Sequence, residues 1–399
     1  MGRLRCSRYQ ICPPLIILIK MGNSASVTNN KRVVVVGGGY VGGAVAKELD
    51  KKFDVTVIEP QDHTYHKIAA LRAAVVPGWE KRATIPLDKL LKKGKILRDK
   101  VTSIDSNQVT LSSGTTVEAD YIVLAHGQGP MTFPSGPLED VTDMATLQNA
   151  LREHQAKISR SENIVIIGGG PVGVELAGEI CAHHPGKKVT LVHSHSKLLN
   201  NTNPPLLEKG IQKVQSSLEA MGCTVRLGAR VNSLPPTPGG DSFIEGKNTL
   251  TLSDGSTIEA DLTVVTVGPG KKQGNLVDAV DENNRVIVDE YLRVKGYSNV
   301  FCVGDANNHP ETKLAFTGGI QGLHVAKNIV TMEKGKRPVP YSGMDKKELG
   351  IMLIPLGPKK GVAIMEKNVM GDGMAKLIKS KGLFSKKQFE QNSAVLPQV

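Results

Sequence analysis

The chain has no closely paired cysteines. Its five, Cys6, Cys12, Cys181, Cys223 and Cys302, include no C-x-x-C motif, so neither a redox disulfide nor a zinc site can be read from their spacing. An odd, scattered set fits a reducing compartment. No metal ligand set is expected. Aromatic residues make up only 4% of the chain, which argues against a base-stacking nucleic-acid surface. No apolar run reaches the roughly 20 residues that a bilayer-spanning helix needs. The nearest is Pro13-Pro14-Leu15-Ile16-Ile17-Leu18-Ile19, which is too short.

Acidic residues are missing from the first 20 positions, where Arg3, Arg5, Arg8 and Lys20 give +4. Residues 331–399 hold 13 Lys/Arg against 6 Asp/Glu, and residues 21–330 hold 33 against 32. The net charge of +12 therefore sits at the ends of a nearly neutral body. Basic ends suit an anionic membrane surface or nucleic acid, or they are solvated lysines that aid solubility. Two starts compete. Met1 opens a basic, apolar segment that reads as a weak presequence. Met21-Gly22-Asn23-Ser24-Ala25-Ser26 fits M-G-x-x-x-[ST], which makes Gly22 a candidate N-myristoylation site if Met21 initiates.

Glycine is abundant, at 42 residues, and two clusters carry chemistry. Val33-Val34-Val35-Val36 reads as a buried parallel strand. Gly37-Gly38-Gly39-Tyr40-Val41-Gly42 follows, with Gly37, Gly39 and Gly42 matching G-x-G-x-x-G. A helical pattern and a second strand, Val55-Thr56-Val57-Ile58, then end at Glu59. This is the full dinucleotide fingerprint: a tight turn, close backbone approach to a pyrophosphate, helix–strand packing, and an acid for the ribose. The unit recurs at Ile164-Val165-Ile166-Ile167, with Gly168, Gly170 and Gly173, but its second strand ends at His193. A carboxylate there would repel the 2′-phosphate of NADPH. His193, near His195 and Lys197, would not, so this fold is expected to accept NADPH as well as NADH. The other reading leaves all three in solvent. A third element, Asn299-Val300-Phe301-Cys302-Val303-Gly304-Asp305, is a strand ending in Gly-Asp, whose carboxylate suits a ribityl hydroxyl.

These three elements, in this order, resemble the two-dinucleotide-binding-domain flavoprotein reductases. Within them the chain is similar to the apoptosis-inducing-factor-like and type II NADH dehydrogenase branch, and to the ferroptosis-suppressor-like NAD(P)H:quinone reductases. Ala69-Ala70-Leu71-Arg72-Ala73, Val189-Thr190-Leu191-Val192-His193-Ser194 and Lys379-Ser380-Lys381-Gly382-Leu383-Phe384 carry the likeness, with Gly304-Asp305. Ala125-His126-Gly127 departs from the usual Ala-Thr-Gly. The resemblance implies an α/β fold of two Rossmann-like domains with a small C-terminal α+β segment. It divides the chain into an extension over 1–30, an FAD domain over 31–145 and 281–340, an NAD(P)H domain over 146–280, and a membrane-facing or quinone-site segment over 341–399. It implies FAD contacts at Gly37, Gly38, Gly39, Tyr40, Gly42, Glu59, Arg72, Val101, Gly304 and Asp305. It implies NAD(P)H contacts at Gly168, Gly170, Gly173, His193 and Gly268.

Glu175 either lies near the flavin–nicotinamide junction or merely complements the helix dipole. Lys379 either lies near a quinone channel or is a surface lysine on a basic tail. Disulfide reductases of this fold carry a cysteine pair in the region of His63-Thr64-Tyr65-His66-Lys67, where this chain has none. Electrons should therefore pass from the flavin directly to an external acceptor. The expected activity is NAD(P)H:quinone reduction at the cytoplasmic face of a membrane (lipid droplet, plasma membrane or mitochondrial outer membrane), or mitochondrial if residues 1–20 direct import. Two alternatives stand: a soluble acceptor, or a nucleic-acid-binding flavoprotein like apoptosis-inducing factor. Oligomerisation is left open. In the C-terminal segment, Ile351–Leu356 and Val362–Met365 predict a β-hairpin. Met374–Phe384 predicts a basic amphipathic helix, and the last ten residues predict disorder.

Overall fold

The computed structural model describes residues 31–128, 141–234, 241–267, 276–343 and 350–399. Gly22 and Gly268 lie outside these. The first layer is a five-stranded parallel sheet ordered Val300–Cys302, Tyr121–Leu124, Arg32–Val36, Asp54–Ile58 and Lys95–Leu97. Val33 pairs with Val55 on one side and Tyr121 on the other. All four valines of the first strand are buried. A parallel strand covered on both faces needs such a continuous apolar run, and each buried valine stabilises the sheet by about 1.5–2 kcal/mol.

Helix Tyr40–Leu49 covers one face with Val45, Ala46 and Leu49. Helix Ala315–Met332 returns from the far end of the chain to lie across it. That approach depends on small residues: a Cβ at Gly318 would stand 2.7 Å from Val41 Cγ2, and one at Gly322 2.7 Å from Val45 Cγ2.

The second sheet runs Cys223–Arg226, Lys188–Val192, Asn163–Ile167, Thr257–Val265 and Phe243–Thr251, the last strand antiparallel. Helix Pro171–His183 follows its first strand. The third sheet is antiparallel, Ile351–Leu356 with Lys360–Met365 and Asn368–Met370, and contains the expected hairpin. It packs on the nucleotide domain, where Gly178 meets Leu356 and Gly210 meets Ile364.

Two expectations for the C-terminal segment change. The expected Met374–Phe384 helix is present but ends early and is wound wide: an α-helical turn at Asp372–Ala375 runs directly into a π-turn at Lys376–Ser380, and Leu383 and Phe384 are left-handed. The wider turn lets Ala375, Ser380 and Leu383 pack inward while Leu377 points out. The last ten residues are docked rather than loose. Gln391 Nε2 donates to the Tyr40 carbonyl at 2.9 Å, Asn392 Nδ2 to Thr64 Oγ1 at 3.0 Å, and Arg82 Nε to the Pro397 carbonyl at 3.1 Å. Lys47 Nζ donates to the Gln391 carbonyl at 2.6 Å. These polar partners lie over 300 positions away, so local composition carried no sign of them.

Candidate functional site

The first glycine turn closes because Gly37 takes φ +105° and its N–H donates to the Ile58 carbonyl. A Cβ at Gly42 would stand 1.9 Å from the Gly37 carbonyl oxygen, so helix and turn meet only there. At Gly39 nothing lies within 4 Å of where a Cβ would be. The turn thus offers open space at the N-terminus of a helix without a side-chain cap, a place for a pyrophosphate. Glu59 braces the turn: Oε2 accepts from Gly38 N at 2.7 Å and Oε1 from Gln61 N at 3.1 Å. Burial pushes its pKa up, and those two amide bonds oppose the shift. Its remaining lone pairs are what a ribose diol would use. A cleft of about 280 Å³, lined by Gln61, Asp62, Leu87 and Arg98 among others, opens beside it. Val101 is buried among Val109, Leu111 and Ile122.

At the same carboxyl end of the sheet, past its edge strand Val300–Cys302, Gly304 at φ +75° turns the chain and sets Asp305 half-buried. A buried network fixes that turn. Gly304 N donates to Gln321 Oε1 at 2.8 Å, Gln321 Nε2 to Glu311 Oε2 at 2.8 Å, and the Tyr341 hydroxyl to Glu311 Oε2 at 2.9 Å. Gly304 also packs on Val41, just past the first glycine turn. An open cradle with a carboxylate at each of two strand ends fits FAD.

Tyr40 and His66 tie this cradle to the C-terminal segment. His66 Nε2 is 2.9 Å from the Leu383 carbonyl, which can only accept, so Nε2 carries the proton. Nδ1 is therefore the acceptor for the Tyr40 hydroxyl at 2.7 Å. Burial lowers the His66 pKa to about 4. Arg72, implied as an FAD contact, has its guanidinium engaged within the protein. Nε and Nη2 donate to Glu179 at 2.8 and 2.7 Å, Nη1 to the Lys381 carbonyl at 3.3 Å, and the group stacks on Trp79.

The second cradle repeats the first. Gly168 has φ +122°, a Cβ at Gly173 would stand 1.9 Å from the Gly168 carbonyl oxygen, and Gly170 faces open space. His193 occupies the place of Glu59: its Nδ1 accepts from Gly169 N at 3.1 Å. Nε2 therefore carries the proton, which it donates to Asn200 Oδ1 at 2.9 Å. Burial lowers its pKa, so the ring is held neutral. Lys197 is paired with Glu208 at 2.9 Å on the surface. His193→Glu is expected to keep the Gly169 bond while placing a carboxylate at the 2′ position. The KM for NADPH should then rise about tenfold relative to that for NADH, a difference near 1.4 kcal/mol. Steady-state rates with both nucleotides check this, and an unchanged ratio would put the 2′ position elsewhere.

Glu175 and Lys379, 204 positions apart, are joined: Lys379 Nζ donates to Glu175 Oε1 at 2.9 Å and to the Leu353 carbonyl at 2.9 Å. Both side chains are largely buried, so Lys379 is not a surface lysine. Burial raises the Glu175 pKa, and the Lys379 charge opposes that. Sequence reasoning missed Glu179, although a second acid one turn beyond Glu175 on an otherwise apolar helix was a visible signal. It also missed Leu383, Thr64 and Asn392, whose roles come from backbone or amide contacts with no motif.

The family model for pyridine nucleotide-disulphide oxidoreductase matches residues 31–328. Apoptosis-inducing factor homolog B of Dictyostelium discoideum is 32% identical over 382 residues, covering 91% of this chain and 97% of that protein. Ferroptosis suppressor protein 1 of Mus musculus is 30% identical over 374 residues, covering 91% and 96%. The solved sulfide:quinone oxidoreductase of Aquifex aeolicus has a TM-score of 0.67 at 20% identity, covering 92% of this chain and 93% of that one, a likeness of fold. With two glycine cradles built alike and this extent of match, the chain belongs to the pyridine nucleotide-disulphide oxidoreductase family and is an FAD-dependent NAD(P)H oxidoreductase.

Proposed function

We propose that the protein is an NAD(P)H:quinone oxidoreductase that works at a membrane surface. One observation carries this reading: the short turn at Lys376–Ser380 faces two ways. Outward it presents Leu377, 81% exposed, flanked by the partly exposed Met374 and Phe384 among Lys376 and Lys381. Inward it delivers Lys379 to Glu175. An apolar, basic surface suits an anionic bilayer interface. A quinone entering from that side would meet a protonated amine paired with a carboxylate. No helix among the described residues is long and apolar enough to cross a membrane. Attachment would then rest on this surface and, where Met21 initiates, on an acyl chain at Gly22, since one weak anchor is marginal and two suffice. The cytoplasmic face of a membrane is the setting this implies.

When bound, FAD supplies the hydride and electron transfer that links NAD(P)H to the acceptor. The chain's own residues position and protonate. Gly39 and Gly170 leave room for two pyrophosphates. Glu59 and Asp305 would hold hydroxyls of the ribose and ribityl chain, and the neutral His193 leaves the 2′ position free of negative charge. Quinone reduction also consumes two protons. Lys379 has three N–H bonds, two of them donated to Glu175 and the Leu353 carbonyl, and the third is available to an acceptor oxygen. Glu175, held beside it, would take a proton from solvent and pass it to the neutral amine, restoring the pair.

The test is NADH and NADPH oxidation by the FAD-loaded protein, with and without a short-chain ubiquinone, together with flotation on vesicles containing anionic lipid. Stimulation by quinone with both nucleotides, and flotation weakened by Leu377→Glu, are the expected results. Flavin without quinone stimulation would move the reading to a soluble acceptor. Lys379→Met should lower the quinone-stimulated rate about tenfold, near 1.4 kcal/mol in the barrier, with FAD content unchanged. An equal loss with an acceptor that needs no proton, such as ferricyanide, would show that Lys379 has no proton role.

A further inference from the structure

The fold brings together two cysteines that are 42 positions apart in sequence. Cys181 lies in the last turn of helix Pro171–His183, and Cys223 opens the strand Cys223–Arg226 on which that helix packs. Both belong to one cluster with Ile180, Leu191 and Leu218. Both are free thiols on elements that pack together, and each shifts the other's acidity. Cys223 is buried and Cys181 is half-buried, so only one is open to solvent. The flavoprotein chemistry argued above makes no use of either.

We propose that Cys181 and Cys223 form a reversible dithiol–disulfide site in the nucleotide domain, oxidised by hydrogen peroxide. The less buried member, Cys181, reacts first. The Cys181 thiolate attacks one peroxide oxygen and the O–O bond breaks, giving a Cys181 sulfenic acid and hydroxide. Cys223 sulfur then attacks the Cys181 sulfur, and the S–O bond breaks as the S–S bond forms. The sulfenic oxygen leaves as hydroxide, which takes the Cys223 proton. Two thiols and one peroxide thus become one disulfide and, after neutralisation, two waters. A thiol reducing agent reverses it by exchange.

The electrostatics agree with this division of labour. The Cys181 thiol is lowered chiefly by the neighbouring Cys223 side chain, and the Cys223 thiol is raised by Cys181 and by burial. Low-pKa, accessible attacker and buried resolving partner are what a reversible thiol site needs. Cys302 is fully buried, and burial raises its thiol, so it serves as an internal control. The disulfide would fasten the end of the helix that carries Glu175 and Glu179 to the far strand of the nucleotide sheet.

The test uses the FAD-loaded full chain exposed to hydrogen peroxide, blocked with iodoacetamide and digested without reduction for peptide mass spectrometry. The expected product is a linked Cys181–Cys223 peptide pair, appearing before any loss of Cys302 and restored to two alkylatable thiols by dithiothreitol. In Cys223→Ser the reaction should stop at Cys181 as a sulfenic acid trapped by dimedone. The proposal is overturned if wild-type Cys181 proceeds to sulfinic acid while Cys223 stays fully alkylatable. It is equally overturned if Cys302 reacts before either. The wild-type measurement decides alone if the variant does not fold.

Discussion

Glu179→Ala is expected to destabilise the folded protein by about 3–5 kcal/mol, the range for breaking a buried ion pair from one side. The pair is among the least exposed groups in the chain: the Arg72 side chain is 1% exposed and that of Glu179 2%. The guanidinium meets both carboxylate oxygens in a two-pronged arrangement and lies 4.7 Å from the centre of the Trp79 ring. The Arg72 guanidinium is left without its carboxylate partner when Glu179 is removed, which strands a full positive charge between two domains. Arg72→Met with Glu179→Leu should recover most of the loss, because neither charge then needs desolvating. Trp79 is the only tryptophan and sits between Arg72 and Arg82, so its fluorescence reports on this junction during denaturant unfolding. A single variant as stable as the double one would mean that the pair carries no weight in joining the domains.

The glycine cradles were legible in the sequence because the physics that shapes them is local. A left-handed turn, a contact that leaves no room for a Cβ, and a buried strand on each side all fall within a few residues. The two Rossmann-like units followed from strand pattern and motif, whereas the return of Gly304-Asp305 to the first of them was implied by the family resemblance. What pairs across the chain was not legible. Nothing near Lys379 says that its ammonium will meet a carboxylate on the second domain's helix, because the π-turn that swings it inward is set by the packing of Ser380 and Leu383. The docked C-terminal end was likewise invisible. Gln391 and Asn392 are ordinary tail residues until the Tyr40 carbonyl and Thr64 hydroxyl are placed beside them. Cysteine spacing excluded a local motif but not a contact between Cys181 and Cys223 made by tertiary packing.

Acid should loosen that C-terminal docking, and His66 is the group through which it acts. The ring is buried and neutral, with Nε2–H bound to the Leu383 carbonyl and Nδ1 accepting from Tyr40. Burial lowers its pKa to about 4. In the unfolded chain an ordinary histidine takes its proton near pH 6.5, whereas the folded ring resists until about 4. Between these values the unfolded state binds more protons, so stability falls as pH falls. The contribution is complete above pH 6.5, lost progressively down to about 4, and flat below; the whole swing is about 3 kcal/mol. His63, His184, His193 and His324 are lowered by burial in the same sense and steepen the slope. His66→Gln supplies an amide N–H for Leu383 and a carbonyl for Tyr40 without a titrating group. Its thermal midpoint should therefore decline less between pH 7 and pH 4 than that of the wild type. If the two profiles run parallel, the acid sensitivity lies in the other histidines. If the variant's profile is flatter, protonation of this one ring is what frees Leu383, and with it the segment that carries Lys379 to Glu175.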